Sequence, residues 1–302
     1  MTLRHWGLAL LVVIGWGLNF VVIRFGLDEL PPLWLGMLRF AALGLIAVVF
    51  IKPPKLPVKQ MLAYGLTLSF GQFAFLFVAM YYGMPAGLAS LVLQSQMLFT
   101  LLFARLFLNE SWQPQQWLAV VVAIMGLTLL ASQTADTQMT TIGFVLTIAA
   151  AMCWGVGNIV NRKIASSGNV DLISLVAWGG MIPIIPFAAL SLIFEGPELI
   201  MESMAAATLN SVWVVLYLSV VASLFGYGVW AYLMRQYPAS TVAPLTLLVP
   251  IFGLLSAWVL LGEQVNAVQM LGIAILMLGL LINTFGGKVI QRFKKRTLAT
   301  DV

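Results

Sequence analysis

Arg39 stands about two turns into an otherwise apolar stretch of this 302-residue chain. A guanidinium in hydrocarbon carries an insertion penalty that approaches ~2.5–3.5 kcal/mol at the centre of a span. Its five donors suit a carboxylate or a set of backbone carbonyls. Two readings stand: a counter-charge for a substrate carboxylate, or an arginine that reaches the outer interface or pins a neighbouring helix end. Trp16 and Asn19 are three apart, while Trp154, Asn158 and Asn161 follow one another at four and three, so each set shares a helix face. Such amides can bond a zwitterion, and indole rings can form a gate or a pocket wall. The competing reading is helix-to-helix bonding, which is common for amides in membranes. Because Trp-Gly-x-Asn recurs as Trp-Gly-x-x-Asn in the second half, a pathway role is favoured for both sets.

Further polar and helix-breaking residues join these. Ser69, Gln72 and Phe73 share one face, and Ser90 and Gln94 share another. Gln96 and Thr100 lie on a different face from Gln94, so one of these two glutamines is expected to be structural. Pro244 and Pro250 stand where the first half has Leu91 and Met97. Each proline frees a carbonyl about four residues earlier, near Ser240 and Thr246, and can act either as a joint or as a static kink. Tyr227 and Trp230 are three apart beside Gly226 and Gly228, where small residues let an aromatic ring approach another helix. The candidate substrate-binding set is therefore Trp16, Asn19, Arg39, Gln72, Gln94, Asn158, Tyr227 and Trp230. Trp154, Pro244 and Pro250 are the candidate gate and hinges.

The elements that position them are membrane helices. The chain is 62% hydrophobic and 8% charged, with a mean hydropathy of +1.03. A helix needs about 20 apolar residues to cross the hydrocarbon. Ten such spans are expected, near 6–25, 33–51, 61–81, 86–108, 115–132, 142–162, 172–194, 211–234, 239–261 and 267–285. The fold class is thus an all-α polytopic membrane protein. The first span is too long for a signal-peptide core, and no small-residue cleavage site follows it, so it is expected to persist.

The second half repeats the first. Tyr64 and Tyr217, Pro85 and Pro238, Glu110 and Glu263, Gln116 and Gln269, and Gly126 and Gly279 are each 153 apart, whereas Trp16 and Trp154 are 138 apart. An insertion of 15 residues near Glu195 to Asn210 accounts for the difference. Two repeats are expected, 1–135 with five helices and 136–302 with five helices and a basic tail. Five is odd, so the second repeat runs the opposite way through the membrane. Inverted repeats of this kind favour a central cavity near mid-membrane, between the halves.

Charge sets the expected orientation. With the amino terminus in the cytoplasm, 13 of the 15 basic residues fall inside. Asp28, Glu29, Asp136, Glu195, Glu198, Glu202 and Glu263 then fall outside. The positive-inside rule places both termini of this multi-pass protein in the cytoplasm. The basic pI of about 9.5 reflects this distribution rather than nucleic-acid binding. The run Lys288 to Arg296 reads as a juxtamembrane anchor for anionic headgroups.

The segments Gly15-Trp-Gly-Leu-Asn-Phe-Val-Val-Ile-Arg, Pro31-Pro-Leu-Trp-Leu-Gly-Met-Leu-Arg-Phe, Gly83-Met-Pro-Ala-Gly-Leu-Ala-Ser-Leu-Val-Leu-Gln and Val242-Ala-Pro-Leu-Thr-Leu-Leu-Val-Pro carry a family resemblance. The chain resembles, over essentially its whole length, the EamA family of the drug/metabolite transporter superfamily. The resemblance implies ten helices, a central substrate cavity and spans five and ten at the periphery. It also implies efflux of small amino-acid metabolites of the cysteine and O-acetylserine type by alternating access, across a bacterial inner membrane. The alternative within transport is a broader exporter of aromatic amino acids or toxic compounds.

Other chemistries fit poorly. His5 is the only histidine and Cys153 the only cysteine, so no histidine cluster, Ser-His-Asp triad or cysteine metal site can be assembled. There is no Walker phosphate loop, hence no direct ATP hydrolysis. A membrane-embedded enzyme would need clustered acidic, histidine, serine or lysine groups, and a scaffold would not need Arg39 or asparagines within spans. The expectation is a non-enzyme without cofactor or metal, whose partners are a small-molecule substrate and the lipid bilayer. Glu110 and Glu263 are expected to cap the helices that follow them. Ala119, Ala123, Gly126, Gly272 and Gly279 suit close packing within the chain or across a homodimer.

Overall fold

The computed structural model describes residues 1–134, 139–166 and 170–300, without the side chains of Ala239 and of residues 288–300. Asp136, the boundary at 135/136 and the basic side chains of the tail lie outside the described residues. No strand occurs among the described residues. Among the described residues, ten helices are long and apolar enough to cross a membrane: Leu3–Leu27, Pro32–Phe50, Val58–Tyr81, Ala86–Leu108, Pro114–Ala131, Thr141–Ser166, Leu172–Phe194, Leu209–Gln236, Ser240–Leu261 and Ala267–Gly287. They are spans one to ten. The end of the bundle holding Leu3 and Gly287 is the terminal face, and the opposite end is the far face. A short helix, Gly196–Ala206, lies between spans seven and eight at the far face, within the stretch where an insertion is expected.

Local chemistry explains the boundaries. Proline at the first turn starts spans two and five, where its missing N–H costs nothing. Asn109 (φ 55°) and Gly262 (φ 65°) end spans four and nine in the left-handed conformation, at equivalent repeat positions. The matched Gln116 and Gln269 are capping-box partners at the starts of spans five and ten. Gln116 accepts from Gln113 N at 2.8 Å, and Gln269 accepts from Asn266 N at 3.1 Å.

The halves interlock. A Cβ on Gly17 in span one would lie 2.6 Å from Phe252 Cβ in span nine, and one on Gly155 in span six would lie 2.6 Å from Phe99 Cβ in span four. Each half's first helix therefore crosses the other half's fourth, at a point where only glycine lets the backbones meet. Spans five and ten pack against each other in the same reciprocal way. A Cβ on Gly126 would stand 2.6 Å from Leu276 N, and one on Gly279 would stand 2.8 Å from Ala123 N. These small residues pack inside the chain.

Matched helices also carry matched irregularities. Spans three and eight widen into π-helical turns at Gly65–Gly71 and Tyr217–Phe225. Spans four and nine tighten into 3₁₀ turns at Leu93–Ser95 and Ala243–Leu248. Both kinds of turn recur at functional sites because they re-aim side chains and backbone groups. Burial is graded along the bundle. Ala86–Ser95 is buried throughout on the far side of span four, whereas Gln96–Leu101, deeper towards the terminal face, is half-buried.

Candidate functional site

A cavity of about 130 Å³ lies between the halves, with walls from spans one, two, three, four, six, eight and nine. Spans five and ten contribute nothing to it. The π-helical turn of span eight and the 3₁₀ turns of spans four and nine all reach its edge.

Arg39 is 2% exposed and lines this cavity. Its Nη2 donates to Ser223 Oγ at 3.2 Å, across the two halves, while Nε and Nη1 have no partner. The guanidinium carbon lies 3.9 Å from the centre of the Phe73 ring and 5.4 Å from that of Phe40. Ser223 is fixed by the π-helical turn, since its Oγ donates to Leu218 O, five residues back, at 2.9 Å. The ion pairs among the described residues are Arg24–Asp28, Glu110–Arg162 and Asp171–Arg235, so Arg39 meets no carboxylate there. The reading in which Arg39 reaches the interface is corrected: its burial holds it inside the bundle.

The second wall is aromatic. Trp16 Nε1 donates to Ala222 O at 2.9 Å, and its ring packs 5.3 Å from Tyr227 and 5.2 Å from Trp230. Gly226 permits the approach, because a Cβ there would lie 2.5 Å from Trp16 Nε1. Tyr217 OH donates to Gly15 O at 2.8 Å and secures the same pair of spans. Asn19, one turn along from Trp16, is buried in the cavity wall with its Oδ1 unpartnered.

The amides divide differently from the sequence expectation. Gln72 and Gln94 line the cavity, and Gln94 Nε2 donates to Thr246 O at 3.5 Å. Gln96 lines it too, which corrects the view that Gln94 and Gln96 face apart. The 3₁₀ turn Leu93–Ser95 winds about 20° more per residue than an α-helix and brings both faces to one cavity. Gln96 is nonetheless tied down, since its Oε1 accepts from Asn158 Nδ2 at 2.7 Å. Asn158 also donates to Thr100 Oγ1 at 3.0 Å and stands behind the wall rather than in it. Trp230 likewise backs Trp16 without lining the cavity, whereas Trp154 lines it directly.

Of the two prolines, Pro250 is buried beside the wall residue Val249, and Pro244 lies within the 3₁₀ turn of span nine. The Thr246 carbonyl, expected to be freed by Pro250, is engaged by Val249 N and Gln94. Ser223 and the Ala222 carbonyl were missed from sequence. Ser223 stands four residues before Tyr227, on the same helical face, and that spacing is the signal that finds it.

Carboxylates close the far face. Glu263 accepts from Ala86 N at 2.7 Å and Gly87 N at 2.9 Å. It caps span four of the opposite half rather than span ten, whose cap comes from Asn266 and Gln269. Glu110 pairs with Arg162 at 3.0 Å on the terminal side, and Gln113 with Gln116 caps the helix that follows. These contacts correct the expectation that both glutamates cap their own next helix. Glu195 accepts from Leu33 N at 2.6 Å and Trp34 N at 3.1 Å. Burial pushes its carboxyl above the usual range despite those donors and Ser191. Ser211, with Thr208 and Asn210, holds Glu29 down at about 2. Glu29, Glu195 and Glu263 each join one half to the other.

The chain matches the EamA-like transporter family twice, over residues 6–132 and 141–285. A protein of Salmonella typhimurium named as a probable amino-acid metabolite efflux pump is 47% identical, over 93% of this chain and 95% of its own. An Escherichia coli protein of the same description is 46% identical, over 92% of this chain and 94% of its own. One solved crystal structure aligns with a TM-score of 0.64 at 17% identity, covering 96% of this chain and 99% of that one, and shares the fold.

Proposed function

The chain belongs to the EamA-like transporter family, and on that premise we propose that it exports small amino-acid metabolites across a bacterial inner membrane by alternating access. The observation that carries the reading is Arg39: a buried cation with two free donors, facing a cavity that only the two halves together enclose. An ionisable group within a membrane span is costly and by default a candidate functional residue. The two relatives at 47% and 46% identity supply the cargo class. The cysteine and O-acetylserine type is the first choice within it.

The cavity suits that cargo in size and chemistry. Its described walls supply amides, indoles and one guanidinium, and a small zwitterion needs few polar partners. In this reading the terminal face looks into the cytoplasm, as the basic residues predict. Trp16, Asn19, Arg39, Gln72, Gln94 and Tyr227 touch cargo. Asn158 and Trp230 hold Gln96 and Trp16 in place, Trp154 serves as the gate, and Pro244 and Pro250 serve as hinges. The test is uptake of labelled cysteine and O-acetylserine into everted vesicles, with and without an ionophore. Saturable uptake that Arg39→Gln reduces at equal membrane insertion supports the reading. Uptake equal to that of empty vesicles contradicts it.

A further inference from the structure

Two residues that line the cavity carry buried, unpaired polar atoms, and those atoms are complementary. Arg39 Nε and Nη1 are donors without an acceptor, and Asn19 Oδ1 is an acceptor without a donor. Both residues are more than nine-tenths buried and both line the cavity. Buried polar atoms are ordinarily paired, so an unpaired set calls for an explanation. Arg39 cannot draw an acceptor from a neighbouring acid, because no carboxylate lies among the cavity-lining residues.

From this pattern we infer that the site reads both poles of an α-amino acid, with Arg39 taking the carboxylate and Asn19 the ammonium. The inference rests on the amino-acid reading above and divides its recognition between two residues. The guanidinium is held at Nη2 by Ser223 and against the face of Phe73, so a carboxylate would meet an unpaired Nε or Nη1 together with the second hydrogen of Nη2. A planar, two-donor edge matches two carboxylate oxygens. At the other pole, a carboxylate partner would hold an ammonium tightly and slow its release. Asn19 Oδ1 offers a neutral acceptor instead. The ring faces of Trp16 and Tyr227, packed 5.3 Å apart in the same wall, add attraction for a cation. The site therefore selects against a molecule that lacks either pole, because one of its buried groups would then stay unpaired.

The test follows uptake of labelled L-cysteine into everted vesicles that carry the full chain. Unlabelled L-cysteine, N-acetyl-L-cysteine and L-cysteine methyl ester serve as competitors. The acetyl compound lacks the ammonium and the ester lacks the carboxylate. In the wild type, cysteine is expected to compete about tenfold or more better than either analogue. Asn19→Ala should erase the preference over the acetyl compound and keep the preference over the ester. Arg39→Gln should do the reverse. The wild-type panel needs no variant to fold. If either analogue competes as well as cysteine there, the two-pole assignment is wrong while the exporter reading stands. Equal loss of both preferences in both variants also overturns the division. If labelled cysteine is not taken up at all, the exporter reading fails and this inference falls with it.

Discussion

Spans five and ten meet reciprocally at matched positions, whereas spans four and nine, equally related in sequence, part company. In the outer pair, Gly126 meets the Leu276 backbone and Gly279 meets the Ala123 backbone, reciprocally. In the inner pair, the far end of span four is buried and capped by Glu263, while Glu110, the matched residue, holds Arg162 instead. Gly87 at that far end would place a Cβ 3.1 Å from Ala257 Cβ. Its repeat equivalent, Ser240, is exposed at the terminal face. Symmetry kept in the peripheral pair and broken in the cavity-lining pair is what one state of an alternating carrier should display. In that proposal the peripheral helices stay equivalent because they do not move, and the cavity-lining helices differ because the far end is shut.

The largest effect should come from the static pair. Gly126→Val and Gly279→Val each drive a side chain into the facing backbone at under 3 Å. Overpacking of this kind costs about 1–3 kcal/mol or more. Both variants should lower the melting temperature by similar amounts in detergent. A large difference between them would break the claim that this pair is symmetric.

The glutamate pair should behave oppositely. Glu263→Ala removes the cap from Ala86 N and Gly87 N at the far face, at about 0.5–2 kcal/mol. Glu110→Ala removes a half-exposed ion pair, at about 0–1 kcal/mol. Thermal melts should therefore separate the two variants clearly, with the Glu263 variant the less stable. Equal shifts would mean that the far gate is not held as described.

The smallest effect concerns pH. The donors from Ser211, Thr208 and Asn210 hold the Glu29 carboxyl at about 2, below its usual value of 4.5. Its contribution is fully present above pH 4.5 and fades as pH falls towards 2. Wild type and Glu29→Gln should differ in melting temperature at pH 6, and the difference should shrink by pH 3. A difference that grows on acidification would contradict the clasp.

Much of this was legible from residues alone. Span positions follow from apolar length, and the repeat follows from five pairs at one spacing. The spacing also paired Gln116 with Gln269 and Gly126 with Gly279, because each serves a local job that its repeat mate shares, whereas the left-handed ends at Asn109 and Gly262 emerged only from the structure. The site was less legible. A regular helix separates Gln94 from Gln96, and only the 3₁₀ turn brings them together. Asn158 and Trp230 have the right spacing, yet which residue forms the wall and which backs it depends on contacts across the halves. Glu263 was assigned to its nearest helix because sequence shows neighbours along the chain and not across it.

Cross-linking of the two gates tests the central claim most directly. In a Cys153→Ser background, Gly87→Cys with Ala257→Cys spans the far gate, and Ser240→Cys with Ala104→Cys spans the equivalent place at the terminal gate. The far pair lies within a few tenths of an ångström of disulfide reach, about 3.5–4.5 Å between Cβ atoms. Alternating access predicts that either disulfide stops uptake into everted vesicles, that reduction restores it, and that the two never form together in one molecule. Undiminished uptake with the far pair fully oxidised, or both disulfides in one chain, would contradict it.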